Sequence, residues 1–540
     1  MLVMRDRWLR RCSRLLLVAS AGTGAGCGLL LGLNEFKDAP SSESGGTGTG
    51  GEGATCEPGE AVSCYEGPSE TRGVGICKDG KTTCSDEGKT DGECRGQVMP
   101  VPETCADTRD EDCDGSDCVL WTKIFGDISN QSVTGVTIDK DGNIILAGTF
   151  SGNLSFVQTA PLEASSPTVY LAKFDSDGNH IWSKSFADSL TSAQALATTS
   201  KGNIILAGRF KESFTLGDTT HNATEEYDEA VFIAEFDANG APIWSAMHED
   251  GEQGTDVAAV AVDSSDSVIL FGSSYCHQAC SLPLERLWLR KYDTNRAIAW
   301  SKGFTYTEVG VRRPGSVTID TSDNILITGC FDESENFGGG PISSNGGADA
   351  FVAKFDPTGT QIWARNYGDS ASQCGSSIAT DKFDSVIVAG TFAGTIRIGT
   401  RHYSSIGTQD TFLLKLDTNG SYLWLQTLGN ENRTYAPTVT TDALGNIGIT
   451  AETTGAIGLG GKVLMPGGAA DILLAKFGPD GAHGWSKLLG DAADQRSRAL
   501  SITEEGEIVL VANVQGAIDT GTGELFSAGG FDILVAKFAP

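Results

Sequence analysis

The spacing that comes nearest to a defined chemistry is Asp110-Glu111-Asp112-Cys113-Asp114-Gly115. Carboxylates at alternate positions can turn hard oxygens onto one cation, and the glycine allows the sharp bend a Ca²⁺ loop needs. Position twelve of such a loop usually carries a bidentate Glu; here it is Trp121, so Asp117 has to substitute. The expected metal set is therefore Asp110, Asp112, Asp114 and Asp117, with Ca²⁺ as the ion, against the alternative of an acidic surface turn. Other chemistry is sparse. There are six His in 540 residues, and neither G-x-S-x-G nor H-E-x-x-H occurs. His180 and His483 share one repeat position, two residues before a Trp, which repetition explains better than catalysis. Gly46, Gly48 and Gly51 match G-x-G-x-x-G in form only, since no strand precedes them and no helical pattern follows. No catalytic residue and no organic cofactor is expected.

Cysteines divide the chain. Residues 40–54 are Gly, Ser and Thr with few others and read as a flexible linker. Cys56, Cys64, Cys77, Cys84, Cys94, Cys105, Cys113 and Cys118 follow within about sixty residues. The segment has too few apolar residues to fold by burial alone, so an even cysteine count reads as a disulfide framework. Eight cysteines allow 105 pairings, and spacing does not choose among them. Zinc is the weaker reading, because no C-x-x-C pair occurs. Cys276, Cys280, Cys330 and Cys374 lie further on and are expected to form bridges, Cys330 with Cys374 and Cys276 with Cys280.

Arg5, Arg7, Arg10, Arg11 and Arg14 precede an uncharged stretch, Leu15–Leu33, that contains Gly24-Ala25-Gly26-Cys27. This resembles a bacterial lipoprotein signal, although Gly24 stands where Leu is usual; the resemblance implies lipidation of Cys27. Cleavage near Ala21 or an uncleaved anchor are the alternatives, and each of them exports the chain. The segment Glu103–Cys118 resembles the Cys/Asp-rich metal-binding-type motif of bacterial surface proteins, departing from it at Ala106-Asp107-Thr108. The expected organisation is 1–27 signal, 28–54 linker, 55–118 Cys-rich segment, and 119–540 a repeat array.

That array is explicit. Leu171-Ala-Lys-Phe-Asp-Ser-Asp-Gly-Asn-His-Ile-Trp182 recurs as Val352-Ala-Lys-Phe-Asp-Pro-Thr-Gly-Thr-Gln-Ile-Trp363. Trp121, Trp182, Trp244, Trp300, Trp363, Trp424 and Trp485 are spaced by 61, 62, 56, 63, 61 and 61 residues. A fixed period of this size means an array of one supersecondary unit. Each unit reads as four short strands, a to d, with Asp-Gly-type hairpin turns joining a to b and c to d. That is a propeller blade. The last unit lacks strand d and the first Trp strand lacks a, b and c, so the two complete one blade. The expected fold is all-β, a seven-bladed β-propeller of four-stranded antiparallel blades with 3+1 closure, preceded by a disulfide-rich segment. The repeats resemble bacterial SBBP-type propeller repeats of myxobacterial type. The Asp-x-x-Gly-x-x-x-Trp phrase is also similar to the tryptophan-docking motif of quinoprotein propellers, with a turn one residue shorter, which implies that the Trp side chains wedge between blades.

Charge bounds the partners. Thirty-nine basic against 70 acidic residues give −31, which excludes a nucleic-acid footprint. Asp349, Asp410, Asp471 and Asp532 stand five residues before the strand-c Lys and are expected to cap the loop–strand junction. The b–c loops and d–a crossovers vary most along the chain and lie at the end of the ring opposite the turns. A rigid scaffold usually displays binding residues on such loops. Arg312 and Arg313, in the crossover before the fourth repeat, are the expected contacts to an acidic partner. The function read from the sequence is a monomeric, exported outer-membrane or cell-surface lipoprotein (secreted is the alternative). It would bind a protein or glycan without catalysis and meet the membrane only through its anchor. The alternative is a propeller enzyme, a glycan hydrolase or lyase or a quinoprotein, with a dispersed site.

Overall fold

The structure is a computed structural model. It describes residues 56–540 except 91–92, 102–109, 112, 114–117, 158–159, 187–191, 224–229, 249–253, 276–285, 305–310 and 460–462. Seven four-stranded antiparallel sheets form a closed ring. Blade 1 consists of strands a Gln131–Ile138, b Ile144–Leu154, c Leu162–Phe174 and d His180–Phe186. Strand a is innermost. The inner strands of blades 2 to 7 begin at Ser192, Gly254, Arg312, Gln373, Thr434 and Gln495. Blade 7 takes strands a to c from Gln495–Ile502, Ile508–Val514 and Asp532–Phe538, and strand d from Val119–Phe125. The ring therefore closes 3+1, with Val119 opposite Phe538 and Phe125 opposite Ile533. Among the described residues no helix is long and apolar enough to cross a membrane.

Burial follows from strand position. Strands b and c lie in the middle of each sheet with both faces covered by neighbouring blades. They are accordingly continuous apolar runs, as in Ile325–Phe331 and Asp410–Leu416, where every residue is buried. Core clusters therefore sit between blades. One packs Ile144, Leu146 and Phe150 of blade 1 against Val509, Val511 and Val535 of blade 7.

Five of the seven seams carry the same polar latch. Trp363 Nε1 donates to the Thr418 carbonyl of the next blade's c–d turn at 3.1 Å, and Lys354 Nζ donates to the same oxygen at 3.3 Å. The same pair of donors meets one carbonyl at Ser176, Ala238, Pro357 and Pro479. The turn glycine lies against the indole. A Cβ on Gly240 would come within 2.8 Å of Trp182, and its φ of +71° is left-handed, so glycine serves twice. Lys354 also pairs with Asp320 of its own a–b turn at 2.8 Å, with both side chains buried. Blade 2 inverts this pairing. Glu235 holds the strand-c Lys position, and Arg296 reaches it at 2.6 Å from the next blade's turn, where it occupies the left-handed glycine place at φ +65°.

The b–c connections, read from the sequence as variable loops, form hairpins in blades 2, 4, 5 and 7. Ser213–Leu216 pairs with Thr219–Asn222, Thr395–Ile398 with Arg401–Ser404, and blades 4 and 7 carry shorter versions. These hairpins insert Phe214, Ile396, Phe337 and Ile518 into the inter-blade core. Burial of those side chains holds the hairpins in one place.

In the Cys-rich segment, Ala61–Cys64 pairs with Gly80–Thr83. Disulfides join Cys56 to Cys84, Cys64 to Cys94 and Cys77 to Cys113, and Cys118 is disulfide-bonded too. Such bridges form and persist in an oxidising, extracellular-type environment.

Candidate functional site: the channel mouth

Every inner strand slips register once. The ladder between a and b skips Thr134, Gln194, Ala258, Gly315, Ser376 and Arg498 in blades 1, 2, 3, 4, 5 and 7, and skips Ala436 and Pro437 in blade 6. A bulge leaves its extra residue unpaired and re-aims the chain. Seven equivalent bulges therefore make one ring around the axis, near the loop end. Within it lies a cavity of about 550 Å³, lined by Thr134, Gln194, Asp256, Ser273, Arg313 and Pro314, among others. It spans four successive blades. The Gln194 Oε1 is enclosed there without a hydrogen-bond partner.

Just outside the bulges, strand b of one blade reaches strand a of the next, and a different bond is used at each of four seams. Arg209 Nε lies 3.5 Å from Asp256. Cys330 is bonded to Cys374. Asn513 Oδ1 accepts the Val133 N–H at 2.8 Å, and its amide donates to Ser132 at 3.2 Å. At the seam of blades 6 and 7, Glu452 is buried opposite Tyr435. Burial pushes the Glu452 carboxyl above the usual range, while the Tyr435 hydroxyl and the Arg498 and Arg496 guanidiniums pull it back. Burial lowers the Arg498 guanidinium, and Glu452 partly restores it. Arg496 pairs with Asp494 at 3.1 Å and lies over the Phe531 ring.

Local charge is the reverse of the global one. The described inner strands carry Arg312, Arg313, Arg496 and Arg498 but a single acid, Asp256, in a chain of net charge −31. Arg313 is exposed, lines the cavity and makes no ion pair among the described residues. Arg312 is a correction to the sequence reading. Its side chain is fully buried, with Nε donating to Glu335 at 2.9 Å and Nη2 to the Ser334 carbonyl at 2.9 Å. It clamps the blade 4 hairpin, and a partner cannot reach it. Alternation explains the difference, because neighbours on a strand face opposite ways.

The four repeated aspartates cap their loops. Asp349, Asp410, Asp471 and Asp532 each accept, through one carboxyl oxygen, the backbone N–H four residues earlier. The other oxygen is buried without a partner in all four. In three of them it faces a glycine of the d–a crossover beside a Gln oxygen; a Cβ on Gly126 would meet Asp532 Oδ1 at 2.1 Å and Gln131 Oε1 at 2.6 Å. Burial, and then the Asp127 charge, raise the Asp532 carboxyl to about 6. The folded state thus holds this proton more tightly than the unfolded chain, whose Asp titrates near 3.9. The sign follows: the stabilising contribution is complete below about pH 4 and is lost as pH rises through 6. Asp532→Asn should remove that loss and raise stability at pH 7.5 by up to about 2 kcal/mol, with a gain less than half as large at pH 4.5. Melting curves of both proteins at the two pH values check this; an equal shift at both would refute it.

Of the expected metal set, Asp110 is described. Its backbone carbonyl accepts the Ile76 N–H at 3.0 Å, and its carboxyl lies against Gly75. Asp112, Asp114 and Asp117 lie outside the described residues, as do Cys27, Cys105, Cys276 and Cys280. Among the described residues no group of three His, Cys, Asp or Glu side chains could hold a metal.

No family model matches the chain. Over 154 residues it is 29% identical to an uncharacterized WD repeat-containing protein of Acanthamoeba polyphaga mimivirus, a match covering 26% of this chain and 11% of that protein. The chain thus spans about a tenth of that relative. Among solved structures, an ulvan lyase is 12% identical at a TM-score of 0.42, with 76% of this chain and 97% of that one covered. A Penicillium chrysogenum α-L-arabinanase complexed with arabinobiose is 9% identical at a TM-score of 0.36, with 65% and 94% covered. Neither likeness bears on activity.

Proposed function

We propose that the protein is an exported binding module, tethered to the cell envelope through Cys27, that takes its ligand at the loop-end mouth of the channel. The observation that carries the reading is the charge reversal at that mouth. Four arginines and one acid stand on the inner strands of a strongly acidic chain, and one of them, the exposed Arg313, lines a cavity that four blades share. An exposed guanidinium without an ion-pair partner at a partly enclosed mouth draws an oppositely charged group inward. The disulfides support export, and the basic segment before Cys27 supports the tether.

Capture from a solubilised envelope extract by the immobilised full chain tests the reading. Arg313→Glu with Arg498→Glu should lose most of the ligand retained by the wild type. Charge reversal at the opposite end, Lys140→Glu with Lys201→Glu in the a–b turns, should leave capture unchanged. Loss at the turns with retention at the mouth would place the working surface at the wrong end.

A further inference from the structure

The mouth offers a specific combination of donors and acceptors. Arg313 supplies a guanidinium with no ion-pair partner among the described residues, and its planar fork matches a carboxylate. Across the ring, Arg498 holds the bulge position of blade 7, where the buried Glu452 favours its charge. Between them the cavity wall presents the Thr134 and Ser273 hydroxyls, the Gln194 amide and the Asp256 carboxylate. Gln194 Oε1 is an acceptor awaiting a donor. A partnerless acceptor in an enclosed place is destabilising, and a ligand hydroxyl would satisfy it.

Two constraints narrow the ligand. The acceptors require a ligand that carries donors, of which hydroxyls are the uncharged choice beside a carboxylate, so a bare inorganic anion leaves them unmet. The net charge of −31 and the nearby Asp256 and Glu452 oppose a dianion such as a phosphate ester, whereas a single carboxylate meets less repulsion. A cavity of about 550 Å³ suits one or two sugar rings. We infer that the channel mouth binds a hydroxylated monocarboxylate of sugar-acid type, with Arg313 on the carboxylate and Gln194 and Asp256 accepting from ring hydroxyls. This rests on the reading that the mouth is the binding end.

Calorimetry on the full chain at low salt, with glucuronate, galacturonate and a galacturonate dimer as probes and glucose as the neutral control, decides it. At least one sugar acid should bind, and glucose should bind at least tenfold more weakly. Arg313→Ala should weaken the acid at least tenfold, Arg313→Lys should retain part of the affinity, and Gln194→Leu should weaken it several-fold. Arg313 is exposed, so its loss should leave the melting temperature unchanged. No binding of any sugar acid, equal binding of glucose, or indifference to Arg313→Ala overturns the inference. If the sugar acids fail while envelope capture still depends on Arg313 and Arg498, the ligand class is wrong and the mouth remains the binding end. If capture depends on the turn residues, the mouth itself is wrong.

Discussion

Deleting residues 119–127 should unfold the ring. Strand d of blade 7 is the segment that closes it, and without it Asp532–Phe538 becomes an unpaired edge of seven buried residues. Val119, Leu120, Trp121, Ile124 and Phe125 leave two inter-blade clusters. Full burial of such side chains contributes about 1.5–3 kcal/mol each, so even half of that sums to on the order of 5 kcal/mol. The deletion also removes the Trp121 bond to Ser176 and the Gly126 that faces Asp532. A typical margin is about 5–15 kcal/mol, so the truncated chain should be largely unfolded or aggregated through its bare edge. Circular dichroism melts and sedimentation of the oxidised proteins check this. A truncated ring that stays monomeric and melts within a few degrees of the wild type would refute the closure.

Arg312→Ala should cost about 3–5 kcal/mol, because it leaves Glu335 charged and buried without its partner. Glu335 already sits above the usual carboxyl range through burial, with Arg312 opposing that rise. Its hairpin, Ser334–Asn336 with Pro341–Ser343, would lose its clamp. The paired change Arg312→Met with Glu335→Leu should recover most of the loss, since apolar replacement of a buried pair is often neutral or better. Denaturant melts of the singles and the double measure the coupling. A single variant within about 1 kcal/mol of the wild type would show that water reaches the pair.

The ring was legible because its determinants are local and repeated. The Trp period, the Asp-x-x-Gly turns and the apolar b and c runs each state their role within a dozen residues. The four capping aspartates were legible for the same reason. What escaped depends on pairing between distant segments. The Arg312 partner is Glu335, 23 residues on in a hairpin of three-residue strands, too short to show a period. Phe214, Phe337 and Ile396 inside apparent loops were the available signal for those hairpins, since an irregular exposed loop has little use for buried aromatic or branched residues. The bulge ring left no trace of its own. A register slip is a relation between two strands, and Thr134, Gln194, Gly315 and Arg498 share no residue type that would mark it.

The fastenings between strand b and the next strand a differ in kind around one circumference. Salt weakens Arg209–Asp256, a reductant opens Cys330–Cys374, acid discharges Glu452 beside Arg496 and Arg498, and Asn513 with Ser132 is indifferent to all three. No single change of medium can loosen all four of these seams at once. A shift in salinity, redox state or acidity would slacken one sector of the circle and leave the rest shut. For a molecule stapled for an oxidising, extracellular-type environment, mixed chemistry at equivalent positions is a form of insurance that identical fastenings would lack.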